Sequence, residues 1–178
     1  MTLAPGTHQL GPDNATLKVK TYREGVAAKV GHDLVIEVTR WEARIDSRGG
    51  SSRVELSADS RSLEVRTGER GVKPLTDKDR GEIRKNIDEK VLHGQPITFR
   101  STQVREVGGG LEVEGDLTMG GSTQPVTASF DLGADGHVTG TIPLTQSEWG
   151  IKPYRGLMGA LKVRDEVEIV LDARLPTS

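Results

Sequence analysis

The sequence predicts a mainly β protein in which antiparallel strands roll into a small barrel and one α-helix lies against it. Three observations predict this. Apolar and polar residues alternate with a period of two along much of the chain. Short glycine-rich segments separate the alternating runs and are the right length for hairpins. One segment carries the four-residue spacing and the end signals of a helix.

Taken in chain order, Leu17 and Val19 belong to an early alternating strand. In GHDLVIEVTRWEARI, Gly31 to Ile45, the residues Leu34, Ile36 and Val38 share one phase and Trp41, Ala43 and Ile45 the opposite one. Two readings fit: a β-bulge near Thr39 and Arg40 that bends one continuous strand, as a curved wall requires, or a break between two strands. Val54, Leu56 and Ala58 continue the series. In TDKDRGEIRKNIDEKVLHGQP, Thr76 or Asp77 caps a helix, Ile83, Ile87 and Val91 form its stripe, and Gly94 with Pro96 ends it. So narrow a stripe places the helix across the outside or one end of the sheet, and Gly81 weakens its first turn.

Leu111, Val113, Gly115, Leu117 and Met119 then share a face, as do Val126, Ala128, Phe130 and Leu132, and Val138, Gly140, Ile142 and Leu144. Leu161, Val163, Val167, Ile169, Leu171 and Ala173 read as one long last strand. VGGGL, MGGSTQP and GADGH supply the turns between these segments. The total is about eight or more strands, enough to close a barrel that holds side chains or one ligand.

Composition bounds the function. A chain of 178 residues fits one domain over 1–178. Its 24 Lys and Arg are scattered among 26 Asp and Glu, so no basic stripe marks a nucleic-acid partner. There are no cysteines, which removes disulfides, thiolate metal sites and a Cys nucleophile. The start MTLAPGTHQLGPDN lacks the pattern of a secretory signal and no run is long enough to span a bilayer, so a cytoplasmic location is expected.

PITFRST (Pro96 to Thr102), GDLTMGGSTQPVT (Gly115 to Thr127), SEWGI (Ser147 to Ile151) and VRDEVEIVLDA (Val163 to Ala173) resemble, in this order, the pattern of the YceI-like family. The opening GTHQLGPDNATLKV extends the resemblance more loosely. It implies an extended, lipocalin-like antiparallel β-barrel with a helix against it, homodimer formation, and a long-chain lipid, polyisoprenoid or fatty-acyl, within the barrel. The chain departs from the family pattern at Asn14-Ala15, where members often have His-Ser, and at the charged RKNIDEKVLHGQ, where they are aromatic-rich. Many members also carry a secretory leader. These departures bear on the lipid and the compartment more than on the fold.

The candidate ligand-binding wall is Val19, Leu34, Ile36, Val38, Trp41, Phe99, Leu117, Phe130 and Trp149. The same residues could equally fill the barrel as an ordinary core; the resemblance favours the hollow reading. In WGIKPYRGLMGALKV, Tyr154, Leu157 and Met158 lie among Lys152, Arg155 and Lys162, a mix that suits either a portal loop with transient membrane contact or a plain connection into the last strand. His32, Lys152 and Tyr154 are the polar headgroup candidates. His8, His32, His93 and His137 lack a metal-ligand spacing and no G-x-S-x-G elbow is present, so neither a metal, a cofactor nor a catalytic residue is expected. The first reading is therefore a non-enzymatic carrier of a long apolar ligand. A small-molecule enzyme at the barrel mouth, for which only the adjacent His32 and Asp33 and Tyr154 speak, and a filled-barrel interaction module are the alternatives.

Overall fold

The period-two segments become strands, and paired glycines turn them. In this computed structural model, residues 3–156 and 161–176 are described. The strands are β1 (Gly6–Leu10), β2 (Ala15–Thr21), β3 (Arg23–Glu24), β4 (Asp33–Val38), β5 (Trp41–Arg48), β6 (Ser51–Ala58) and β7 (Leu63–Glu69). After the helix α1 (Asp77–Asn86) follow β8 (Ile97–Val107), β9 (Gly110–Met119), β10 (Ser122–Leu132), β11 (His137–Thr145), β12 (Arg155–Gly156), β13 (Leu161–Val163) and β14 (Glu166–Arg174). Gly49–Gly50, Gly108–Gly109 and Gly120–Gly121 all have positive φ at both residues, the backbone that a two-residue hairpin matching the strand twist requires.

Among the described residues, eleven strands form one curled antiparallel sheet in the order β1-β5-β6-β8-β9-β10-β11-β14-β2-β4-β7. A small second sheet has the order β12-β13-β3. The large sheet rolls around an apolar interior and gives the barrel-like architecture that the alternation predicts. Its wall is uneven: β9 and β10 pair over ten residues, whereas β10 and β11 share two pairs, Asp131 with Thr139 and Leu132 with Val138.

The phase change in Gly31 to Ile45 resolves as a break. β4 pairs with β2 and β7, while β5 pairs with β1 and β6, so the chain crosses from near one end of the strand order to near the other through Thr39 and Arg40. The bulge expected there is absent; register shifts occur instead between β4 and β7 at Val35/Ile36 and between β8 and β9 at Ser101/Gln103. The crossing is fixed by hydrogen bonds: Thr39 donates to the Ser62 carbonyl from both N–H and Oγ1, each at 2.8 Å, and the Arg40 carbonyl accepts from Asp59 N–H at 3.0 Å. Two intervening residues preserve the inward phase, so Leu34, Ile36, Val38, Trp41, Ala43 and Ile45 all face one interior.

The expected last strand also divides. Asp165 makes the corner between β13 and β14, accepting from Ser147 N–H at 2.8 Å and Ser147 Oγ at 2.5 Å. Its carboxylate is thus an anchor for the 146–149 turn.

The helix begins where the cap signal puts it. Thr76 Oγ1 accepts from Asp79 N–H at 3.2 Å and Asp79 Oδ2 accepts from Thr76 N–H at 2.9 Å, a reciprocal capping box. The Thr76 backbone N–H, with a smaller contribution from the Thr76 hydroxyl, holds the Asp79 carboxyl below its ordinary pKa. Gly81 sits inside the helix without breaking it. A wider π-type turn, Ile87–Val91, follows α1, and Ser60 Oγ donates to Asp88 Oδ1 at 2.7 Å. No helix among the described residues is long and apolar enough to cross a membrane.

Candidate functional site: a cavity within the rolled sheet

The sheet encloses a cavity of about 900 Å³. Ligand pockets run roughly 300–1,000 Å³, and an apolar void of about 150 Å³ already takes benzene. The space is therefore of ligand size and larger than a packing defect. It also decides between the two sequence readings: the interior is hollow.

The wall is built by the inward phase of nearly every strand. Val19, Leu34, Ile36, Val38, Trp41, Phe99, Leu117 and Phe130 all line it, as the alternation predicts. Two glycines on the same phase shape it. A Cβ on Gly115 would overlap the Phe99 ring and one on Gly140 would overlap the Phe130 ring, so each aromatic ring lies across a neighbouring strand at a glycine. Trp41 is buried at 6% exposure, and its indole N–H finds no partner among the described residues; the Thr21 hydroxyl is likewise unpartnered.

Trp149 is the exception and corrects the sequence assignment. It does not line the cavity. It sits in the short 3-10 turn Gln146–Trp149, which packs against β10, is 2% exposed, and donates its indole N–H to the Leu117 carbonyl at 2.9 Å. The alternation that places the other aromatics stops at Leu144, so no phase was available for Trp149. Leu157 and Met158, the candidates at the portal tip, lie outside the described residues.

One end of the cavity is polar because of the topology. The pairs Thr145–Glu166, Glu168–Lys20, Thr21–Leu34 and Asp33–Glu69 bring the ends of β11, β2 and β7 and the starts of β14 and β4 to one level. The segments that leave these strands form the mouth. From the mouth the helix runs along β7, with Arg84 3.9 Å from Glu64 near that strand's start, so that Ile83, Ile87 and Val91 face the cavity while Asp79, Glu82 and Lys90 edge it. The narrow apolar stripe is thus the roof of a ligand-sized space. Lys73 and Leu75 contribute a strap, and Lys152, Tyr154 and Lys162 the opposite side.

The headgroup candidates divide by geometry. Lys152 and Tyr154 line the mouth, with Tyr154 51% exposed. His32 also lines it, but its Nε2 lies 2.5 Å from the Lys73 carbonyl and its ring occupies the space a Cβ on Gly71 would need. His32 therefore pins the strap. Asp33 turns the other way, accepting from Arg23 N–H at 2.8 Å and pairing with Arg70 at 3.3 Å, so the adjacent His32 and Asp33 do not form a couple. Nearby, Tyr22 donates to Glu168, a bond that raises the phenol pKa because its loss would set two negative charges together. Arg164 lies 5.4 Å above the Tyr22 ring. Sequence reasoning missed the strap 70–75, which carries no periodic signal, and left the helix stripe unassigned although its spacing was visible.

Comparison with known proteins agrees with this architecture. No curated protein matches the chain. BcnA of Burkholderia cenocepacia superposes with a TM-score of 0.64 at 15% identity, covering 89% of this chain and 94% of that one. A Campylobacter jejuni YceI protein superposes with a TM-score of 0.50 at 11% identity, covering 78% and 82%. At these identities the likeness shows the fold alone, a sheet rolled around an interior. The model of the YceI-like domain matches residues 12–175, nearly the whole chain, and the protein belongs to the YceI-like family.

Proposed function

We propose that the protein is a non-catalytic binding or carrier protein for a long-chain apolar lipid, isoprenoid or fatty-acyl, held inside the rolled sheet. The observation that carries this reading is the cavity of about 900 Å³ with an aliphatic and aromatic wall and polar groups on the mouth segments and along one edge of the helix. Each methylene moved from water into such a wall gains roughly 0.8 kcal/mol. A sixteen-carbon chain thus gains about 12 kcal/mol gross, opposed by a cost of about 4 kcal/mol or more for the freedom lost on binding. Length, more than any single contact, would set affinity. The polar groups at the mouth, Lys152 and Tyr154 foremost, would orient the head, and the alternation of wall residues requires no reacting group.

Native mass spectrometry of the purified protein, followed by organic extraction, tests the proposal. A stoichiometric long-chain adduct, retained from the host or acquired on incubation with isoprenoid and fatty-acyl lipids, is expected. The same spectrum reads the homodimer that the family resemblance implies. A clean apoprotein mass after both incubations would remove the carrier reading.

A further inference from the structure

The two sides of the cavity mouth differ in a way that ligand binding alone does not require. We infer that the loop side of the mouth is a docking surface for an anionic lipid bilayer, on which the cavity would load and unload; this rests on the carrier reading above.

Four segments make this side: 22–33, 69–75, 152–155 and 162–164. They are joined into one surface. β13 pairs with β3, Lys162 opposite Glu24, and Val163 N–H donates to the Tyr154 carbonyl at 3.0 Å. Val72 N–H donates to the Lys29 carbonyl at 3.1 Å, and Arg23 ties the Ala28, Gly31 and Arg70 carbonyls together.

Apolar exposure concentrates here. Of the five exposed large hydrophobic side chains among the described residues, four belong to this surface: Val26 at 94%, Val72 at 70%, Val30 at 53% and Tyr154 at 51%. The fifth, Val107, lies at the β8–β9 turn. Single exposed apolar residues need no explanation, but four on the rim of an apolar cavity form a patch, and such patches mark interaction sites.

Charge identifies the partner. The four segments hold eight Lys and Arg against three Asp and Glu, a net +5 on a chain whose total is −2. The helix that leads away from the mouth, residues 77–90, holds five of each sign and is neutral. Two copies of this chain meeting face to face here would bring two +5 surfaces together, which opposes a second copy as the occupant. Exposed valines and a tyrosine among lysines and arginines instead match the interface of an anionic bilayer, where each basic residue near the surface contributes about 1 kcal/mol and apolar side chains enter the headgroup boundary.

Vesicle flotation of the full chain tests this. On phosphatidylcholine vesicles carrying about 30 mol% phosphatidylglycerol at low salt, the protein should float; on pure phosphatidylcholine, or at about 0.5 M salt, it should not. Val26→Asp with Val72→Asp, and separately Lys29→Gln with Arg155→Gln, should each lower the bound fraction's partition coefficient about tenfold, whereas Val107→Asp should leave it unchanged. None of the five substituted residues lines the cavity, so uptake of a fluorescent fatty acid from solution should persist in every variant. Failure of uptake in the parent protein would count against the carrier reading. Intact uptake without flotation on anionic vesicles, or flotation that ignores both double variants, would overturn the docking surface alone. Concentration-dependent self-association lost in Val26→Asp with Val72→Asp would overturn it too, by assigning the patch to a second copy.

Discussion

The two tryptophans share one expected role, in the ligand-binding wall, and occupy opposite kinds of space in the structure. Trp149 is 2% exposed, wedged against β10, with its N–H bonded to the Leu117 carbonyl. Trp41 is 6% exposed, lines the cavity, and leaves its N–H without a partner among the described residues. The difference teaches how this fold divides its labour. Trp149 fills its place beside β10 by dense packing, while the inward phase of the strands leaves atoms without partners on one side, a loss of contact that a filled core would not tolerate.

The largest expected effect breaks that contrast directly. Trp149→Ala should cost about 4 kcal/mol, because it removes a fully packed ring and leaves a void. Phe99→Ala should cost roughly half as much, because one side of its ring already faces empty space. Urea unfolding of both variants measures the difference; equal costs would mean the interior is packed. Filling the hollow is the next test. Ala128 is 8% exposed and lines the cavity, so Ala128→Phe should reduce affinity for a fatty-acyl probe by about tenfold, roughly 1.4 kcal/mol, with little loss of stability. Calorimetric titration reads the affinity and the same unfolding curve the stability.

A smaller effect concerns the roof of the hollow region. Thr76→Ala removes the side-chain half of the capping box and should cost about 1 kcal/mol of helix stability. Amide exchange should quicken across 77–86 while β9 and β10 stay protected. The smallest effect is on pH. Asp59 and Asp79 near the roof, and Asp46 and Asp135 away from it, all have pKa values held below the ordinary carboxylate value, through bonds from Arg61, Thr76, Thr7 and Arg174 respectively. Lowered folded-state values mean stability is present in full above the unfolded value of about 3.9 and is lost as pH falls through the folded ones. The melting temperature should thus be flat from neutrality to about pH 5 and decline below about pH 4.

Much of this was legible in the residues. Strict alternation placed Leu111 to Met119 and Val126 to Leu132 on the wall, because a pleat admits no other arrangement of those side chains. Thr76 and Asp79 announced the helix start by their spacing. Gly115 and Gly140 stood on the apolar phase without showing that the Phe99 and Phe130 rings lie across them, and the alternation alone left a hollow and a filled interior both open. What escaped was whatever depends on coincidence between distant segments. Residues 39–40 cross the sheet, 70–75 strap the mouth and 146–149 wedge its wall because strand ends meet in space, and none of these stretches has a period to read. The division of the last strand at Asp165 is of the same kind: its cause is a pair of bonds from Ser147, eighteen residues away.

On the carrier reading, a long apolar chain occupies the space beside Trp41. A brominated fatty acid quenches tryptophan only at short range, and this protein has two tryptophans, so single-tryptophan variants locate the ligand. In Trp149→Phe, where Trp41 alone emits, titration with dibromostearate should quench fluorescence saturably, and in Trp41→Phe the remaining emission of Trp149 should change little. An unquenched Trp41, or quenching of Trp149 in its place, would contradict the claim.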